Sequence, residues 1–238
     1  MLDVVSRVVP AGCLLTTVLL VLSAAYSANG ADEICGSLDI RNRVEKFKEL
    51  ENCTIIEGDL HILLIDQVSQ GDYDHLSFPK LREITGFFVL YRVSQLLTLR
   101  YMFPNLAVIR GDTLFYNYAL VIYEMLEMQE IGLNGLVTIL RGSIRLEKNP
   151  NLCYMDTIDW SLILKEGTEN NFIADNKDQG GCLNFCPKTG CRTPTALGTV
   201  RELCWSGDHC QKGKTLIQRY LTTYEATAYN HTCPYGSG

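Results

Sequence analysis

The sequence predicts a mostly β fold: a solenoid of parallel strands, stacked coil on coil, with capped ends and a disulfide-rich module after it. Three observations predict this. A short pattern ending in glycine recurs four times, each glycine is followed by a strand-like stretch, and cysteines bracket the repeat and crowd the chain beyond it. The chain has 238 residues, 47% of them hydrophobic, enough for one substantial core and a smaller module. The net charge is −6 and the Lys and Arg residues are scattered without a basic stripe, which excludes a nucleic-acid partner.

The first thirty residues stand apart. A weakly basic start with Arg7 leads into the uncharged run Ala11 to Ala25, and small residues follow. This is the pattern of a secretory signal peptide over 1–30, cleaved between Ala25 and Gly30. The run is shorter than the ~20 residues a membrane-spanning helix needs, and no other stretch is apolar enough to span. The expected location is extracellular, with no membrane span in this chain. Cys13 leaves with the leader, and the nine remaining cysteines are expected as disulfides with one left over. None of the spacings CLNFC, CPKTGC and CWSGDHC is a CxxC zinc knuckle, so no metal and no cofactor are expected.

Next, Arg41 to Glu51 places Val44, Phe47 and Leu50 at helical spacing, a cap for the solenoid's first end. The repeat then runs TIIEG, REITG, AVIRG and TILRG, with glycines at 58, 86, 111 and 142. Intervals of 28, 25 and 31 residues fall in the solenoid range. At each glycine one short strand ends, the chain turns a corner, and a second strand begins; glycine tolerates the backbone angles a corner demands. Stacking buries Ile55/Ile56, Ile84, Val108/Ile109 and Ile139/Leu140 in one column. FPKL at 78–81 and FPNL at 103–106 precede the second and third coils, and WSLIL at 160–164 begins a short closing element.

Alternation after the glycines sends one set of side chains inward and the other outward. Phe115, Tyr116, Tyr118 and Tyr123 put four rings into nine residues, more than one coil's interior holds, and Asn117 and Glu124 lie among them. Exposed rings flanked by charge mark a protein interface.

Several stretches, EICGSLDIRN, LENCTIIEGDLHILLI, FPNLAVIRGDTLFYNYALVIYEM, RGSIRLEKN and TIDWSLIL, together resemble the L1 domain of the insulin receptor and insulin-like growth factor receptor family, over about Glu33 to Lys212. The resemblance implies a right-handed parallel β-helix with short capping helices over 31–182, then a truncated furin-like cysteine-rich module over 183–212. It implies the pairs Cys35–Cys53, Cys153–Cys182, Cys186–Cys204 and Cys191–Cys210, leaving Cys233. It implies a site for insulin or insulin-like growth factor peptides, completed by a helix from the receptor's distal subunit end and by a second protomer. By motif position that site comprises Asp39, Arg41, Asn42, His61, Leu63, Leu64, Tyr91, Leu114, Phe115, Asn117, Tyr118, Val121, Tyr123, Glu124, Arg145, Glu147 and Lys148. Asp66 stands where the insulin receptor branch has an aromatic residue, and Tyr91 and Tyr123 where phenylalanine is usual. Asn52 and Asn230 head glycosylation sequons.

From Gly213 the resemblance ends, and 213–238 is expected to be a disordered tail, with a retained intron as one origin. The family's kinase domain lies far downstream, and this chain has no kinase glycine loop and no catalytic loop. The expected role is the hormone-binding face of a receptor tyrosine kinase, with a secreted soluble decoy as the alternative. A β-helix carbohydrate-active enzyme is the remaining reading. It would need clustered carboxylates, and Asp39, Glu124 and Glu147 alternate with Arg41, Arg145 and Lys148.

Overall fold

The computed structural model describes residues 33–194 and 200–212; the leader, the tail from Gly213, Cys233 and the Asn230 sequon lie outside the described residues. Each coil contributes a two-residue strand, a corner and a longer strand. The short strands β1 (Ile34–Cys35), β3 (Ile55–Ile56), β5 (Glu83–Ile84), β7 (Val108–Ile109) and β9 (Thr138–Ile139) form one parallel sheet in that order. The longer strands β2 (Leu38–Arg41), β4 (Leu60–Ile65), β6 (Phe88–Val93), β8 (Tyr118–Tyr123) and β10 (Ser143–Glu147) form a second parallel sheet, closed by β11 (Phe172–Ala174). Two parallel sheets alternating along the chain, with loops as the third side, make a parallel β-helix.

The register explains the core. Ile40, Ile62, Leu90, Ile122 and Leu146 face one another from rung to rung, all fully buried. In the short sheet only one residue of each apolar pair joins this interior: Ile56, Ile84, Ile109 and Ile139 stack in register. Their neighbours Ile55 and Leu140 are half-buried, and Val108 belongs to a separate cluster with Ala107 and Val137. A two-residue strand points its side chains to opposite faces, so a pair cannot share one column.

The loop side is filled by rings. Phe78 and Phe103, from the two FP motifs, continue a run of contacts from Phe47 to Phe88, with centroids 6.2, 5.9 and 5.7 Å apart. The first cap is a 3-10 helix, Val44–Leu50, rather than an α-helix, with Phe47 and Leu50 buried beneath it. At the far end Asn149, fully buried, accepts from the Met125 N–H and donates to the Ile122 carbonyl and to Asn176. Asn176 in turn donates to the Leu146 carbonyl. These two amides satisfy backbone groups that the last coil leaves without a ladder partner, and each would cost about 1–3 kcal/mol if buried unpaired.

The corners have two physical origins. Gly142 has φ of +81°, where an L side chain is strained. Gly86 is outside that region; a Cβ there would collide with Asp59, Thr113 and the Gly58 carbonyl, so space rather than backbone angle excludes a side chain.

Among the described residues four disulfides join Cys35–Cys53, Cys153–Cys182, Cys186–Cys204 and Cys191–Cys210, the same pairs that the resemblance implies. The last two lie in the segment carrying the hairpins β12 (Arg192–Pro194) with β13 (Val200–Glu202) and β14 (Cys204–Ser206) with β15 (His209–Cys210). This segment is seated on the last coil. Trp205, fully buried, meets Trp160 edge-to-face at 5.8 Å, and the Gln211 amide both donates to and accepts from the Asp159 backbone.

Candidate functional site

The outer face of the long-strand sheet carries the candidate site. Register sets two rows of side chains across it. One runs Asp39, His61, Val89, Val121, Arg145, Phe172; the other runs Arg41, Leu63, Tyr91, Tyr123, Glu147, Ala174. Six strands at ~4.8 Å spacing make the rows about 24 Å long.

The centre of the face is apolar. Phe87, Val89 and Val121 are covered by their neighbours Leu63, Tyr91, Phe115, Tyr118 and Tyr123, which remain partly exposed. His61 packs edge-on against Phe87 at 5.1 Å, Phe87 meets Phe115 at 5.8 Å, and Tyr91 stacks on Tyr123. Tyr116, at the lip, is 81% exposed and stands edge-on to Phe115. None of the four crowded rings lies in the main core.

Charges frame this centre in pairs. Arg41 donates from Nε to Asp39 at 2.6 Å, and this hydrogen bond holds the Asp39 carboxyl below its ordinary range. Arg145 donates to one Glu147 oxygen from Nε at 2.8 Å and from a terminal nitrogen at 2.5 Å. Its guanidinium lies 5.9, 5.4 and 5.3 Å from the rings of Tyr118, Tyr123 and Phe172. Lys148 donates to the Tyr123 hydroxyl at 3.0 Å, which raises the lysine's pKa, and it also lies 3.7 Å from Glu124. Arg92 donates to Glu124 at 2.5 Å. Hydrogen bonding by Tyr123, then by Arg92, lowers the Glu124 pKa. Asp39, Glu124 and Glu147 are thus each engaged by a cation.

Strict alternation would forbid consecutive residues from facing outward, yet Arg41–Asn42, Leu63–Leu64, Tyr123–Glu124 and Glu147–Lys148 are all in the sequence-derived set. The corner resolves this. Asn42, Leu64, Arg92, Glu124, Lys148 and Asp175 all have positive φ, between 48° and 69°. Leu63 pairs with Tyr91 and Ile65 with Val93, skipping Leu64 and Arg92, and Leu64 is left 42% exposed. A residue in the left-handed region shifts the pleat, so the rung's last outward side chain is followed by another at the edge.

Of the sequence-derived residues, Asp39, Arg41, His61, Leu63, Tyr91, Val121, Tyr123, Arg145 and Glu147 lie in the two rows. Phe115 and Tyr118 join the ring cluster, and Asn42, Leu64, Glu124 and Lys148 line the edge. Asn117 is exposed in the loop before β8. Leu114 is half-exposed and packs against the main core, over the space that the missing side chains of Gly111 and Gly142 leave. Phe87, Val89 and Phe172 were missed. The alternation Phe87, Val89, Tyr91 in FFVLYRV carried the signal for the first two. Asn52 is exposed, and its side-chain oxygen accepts from Lys80 at 2.9 Å.

Among the described residues no helix is long and apolar enough to cross a membrane. The receptor L domain family model matches residues 52–164. The chain is 56% identical over 196 residues to the insulin-like peptide receptor of Branchiostoma lanceolatum, an alignment covering 82% of this chain and 14% of that protein. It is 49% identical over 186 residues to the insulin receptor of Xenopus laevis and 47% over 188 to that animal's insulin-like growth factor 1 receptor, each covering 76% of this chain and 14% of the relative. The chain thus spans about a seventh of the length of these curated relatives. It belongs to the insulin receptor and insulin-like growth factor receptor family, and the stretch folded here into stacked coils is that family's L1 receptor domain.

Proposed function

We propose that the outer face of the long-strand sheet is the L1 part of a peptide-hormone site in an insulin-like receptor, displayed on the extracellular side. In this reading residues 31–182 are the binding domain and 183–212 the start of a cysteine-rich module. The observation that carries it is the ring-lined centre framed by paired charges. A buried apolar anchor inside a polar rim is how protein interfaces concentrate their energy. The length of the rows suits a helix of about 16 residues at 1.5 Å per residue, and the ligand classes named for the relatives are insulin, insulin-like growth factor 1 and insulin-like peptides.

Titration of the secreted chain with labelled insulin and insulin-like growth factors tests this, with and without a synthetic peptide of the receptor's distal subunit helix. Hormone binding that falls when Phe115, Tyr118 or Tyr123 is replaced by alanine supports the site; binding indifferent to all three overturns it. The same titration separates two modes of action. Tight binding by the chain alone fits a soluble decoy, and binding that requires the helix fits a component of the full receptor.

A further inference from the structure

On the loop side of the coils, sharing no residue with the ring-lined depression, lies a recess of about 480 Å3 between the turns 70–76, 95–102 and 129–130. We propose that this recess binds a neutral saccharide, stacked on Tyr101 and hydrogen-bonded by Gln70, Gln95 and Gln129.

The reasoning starts from the ring. Tyr101 is 65% exposed, although a tyrosine usually gains by covering its apolar body. Arg100 lies over the ring, 4.7 Å from its centroid, which fixes its orientation. The ring face that Arg100 does not cover is a platform for a flat apolar surface such as the C–H face of a pyranose. The rim is made of amides. The side chains of Gln70, Gln95 and Gln129 are exposed and make no hydrogen bond among the described residues. Each amide both donates and accepts, which matches hydroxyl groups that do the same. Leu96 and Met102, buried beneath, give the recess an apolar floor. A small number of polar groups over such a floor is the usual composition of a small-molecule site.

Charge decides between ligand classes. Arg100 is the recess's one base among its lining residues, and it is spent twice, on Asp208 at 2.6 Å and on Glu130 at 3.4 Å. An anionic ligand would have to break those pairs. Glu130 also accepts from Thr98 at 3.0 Å and is already paired with Arg100, so it offers a cation little. Asp74 is left at the rim, as an acceptor for a hydroxyl. The balance favours an uncharged polyol over an anion or an amine.

The test uses the whole secreted chain against neutral oligosaccharides ending in mannose, glucose, galactose or N-acetylglucosamine, with sialylated and sulfated glycans and a short neutral peptide as comparators. Saturation-transfer NMR reads ring-proton contact and titration reads affinity. A neutral glycan is expected to bind, Tyr101→Phe to retain binding, and Tyr101→Ala and Gln129→Ala to weaken it about tenfold, roughly what a lost stacking contact or hydrogen bond is worth. Hormone binding by these variants is expected to stay at the wild-type level, so the two sites are read separately. Tyr101 is a surface residue, so its loss leaves the fold intact. Absence of any glycan signal that Tyr101→Ala removes, binding of charged glycans only, or preference for the peptide would overturn the proposal.

Discussion

Tyr91 on β6 and Tyr123 on β8 stand directly opposite each other, with ring centroids 5.3 Å apart and planes 24° from parallel. Stacking of this kind is worth about 0.5–1.5 kcal/mol beyond burial, and it turns two tyrosines into one broad plate. Removing either ring should cost the face more than one contact. Tyr123→Ala is expected to weaken hormone binding by about 2 kcal/mol, or about thirtyfold. Tyr123→Phe keeps the ring and loses only the hydroxyl's bonds with Lys148 and Glu124, so its loss should stay below tenfold. Titration alongside a thermal melt checks both, and an unchanged affinity in Tyr123→Ala would remove this residue from the site.

The corner at Gly142 should be intolerant of any side chain. Its φ is +81°, and a Cβ would press on Leu114 and Ala119. Gly142→Ala is expected to cost roughly 2 kcal/mol, lowering the melting temperature by roughly 4–8 °C. A Cβ at Gly36 would meet nothing within 4 Å, so Gly36→Ala serves as the control. Equal melting of the two variants would contradict the strain assigned to Gly142.

Leu64 sits in the left-handed region at φ of 54°, a position that asparagine adopts more readily than a branched apolar residue. Leu64→Asn is therefore expected to raise stability by up to about 1 kcal/mol while weakening hormone binding. Opposite movements of melting temperature and affinity in one variant are the measurement. A fall in both would show that the leucine is held by packing rather than strained for contact.

Asp208 joins the cysteine-rich segment to the solenoid through Arg100. Hydrogen bonds from Ser206 and His209, with Arg100 added, hold its pKa down to about 2. An unfolded aspartate titrates near about 3.9, so the folded group binds its proton later. The stability it contributes is therefore complete above about pH 4 and fades as the pH falls toward 2. Its side chain is 57% exposed, so the effect is small and shrinks with salt. Melting curves of wild type and Asp208→Asn should differ at neutral pH and converge near pH 2. A gap that persists there would assign the loss to geometry rather than charge.

Much of this was legible in the residues. The recurring glycines marked the coils, and the crowding of Phe115 to Tyr123 marked the exposed rings, because both are local patterns. The inward lean of Leu114 was not legible, because its neighbours in sequence face out while the space over Gly111 and Gly142, from two other turns, takes its side chain. Val89 was hidden for a related reason: an aliphatic residue in a strand looks like core until register shows which way it faces. The Asn149–Asn176 pair had no sequence signal at all, since its value comes from carbonyl and N–H groups that only the last coil's geometry leaves without a ladder. Phe172 joins the wall solely through the pairing of β11 with β10.

The column of phenylalanines and isoleucines sets the position of every rung from within, while the ring-lined wall hangs on the opposite side of the same backbone. Substitutions at the exposed positions of that wall leave the interior column untouched, whereas Phe87, Val89 and Val121 are themselves buried and tie the wall to the scaffold. On such a frame the exposed positions of the outer rows can vary while the stacked isoleucines keep every rung in place.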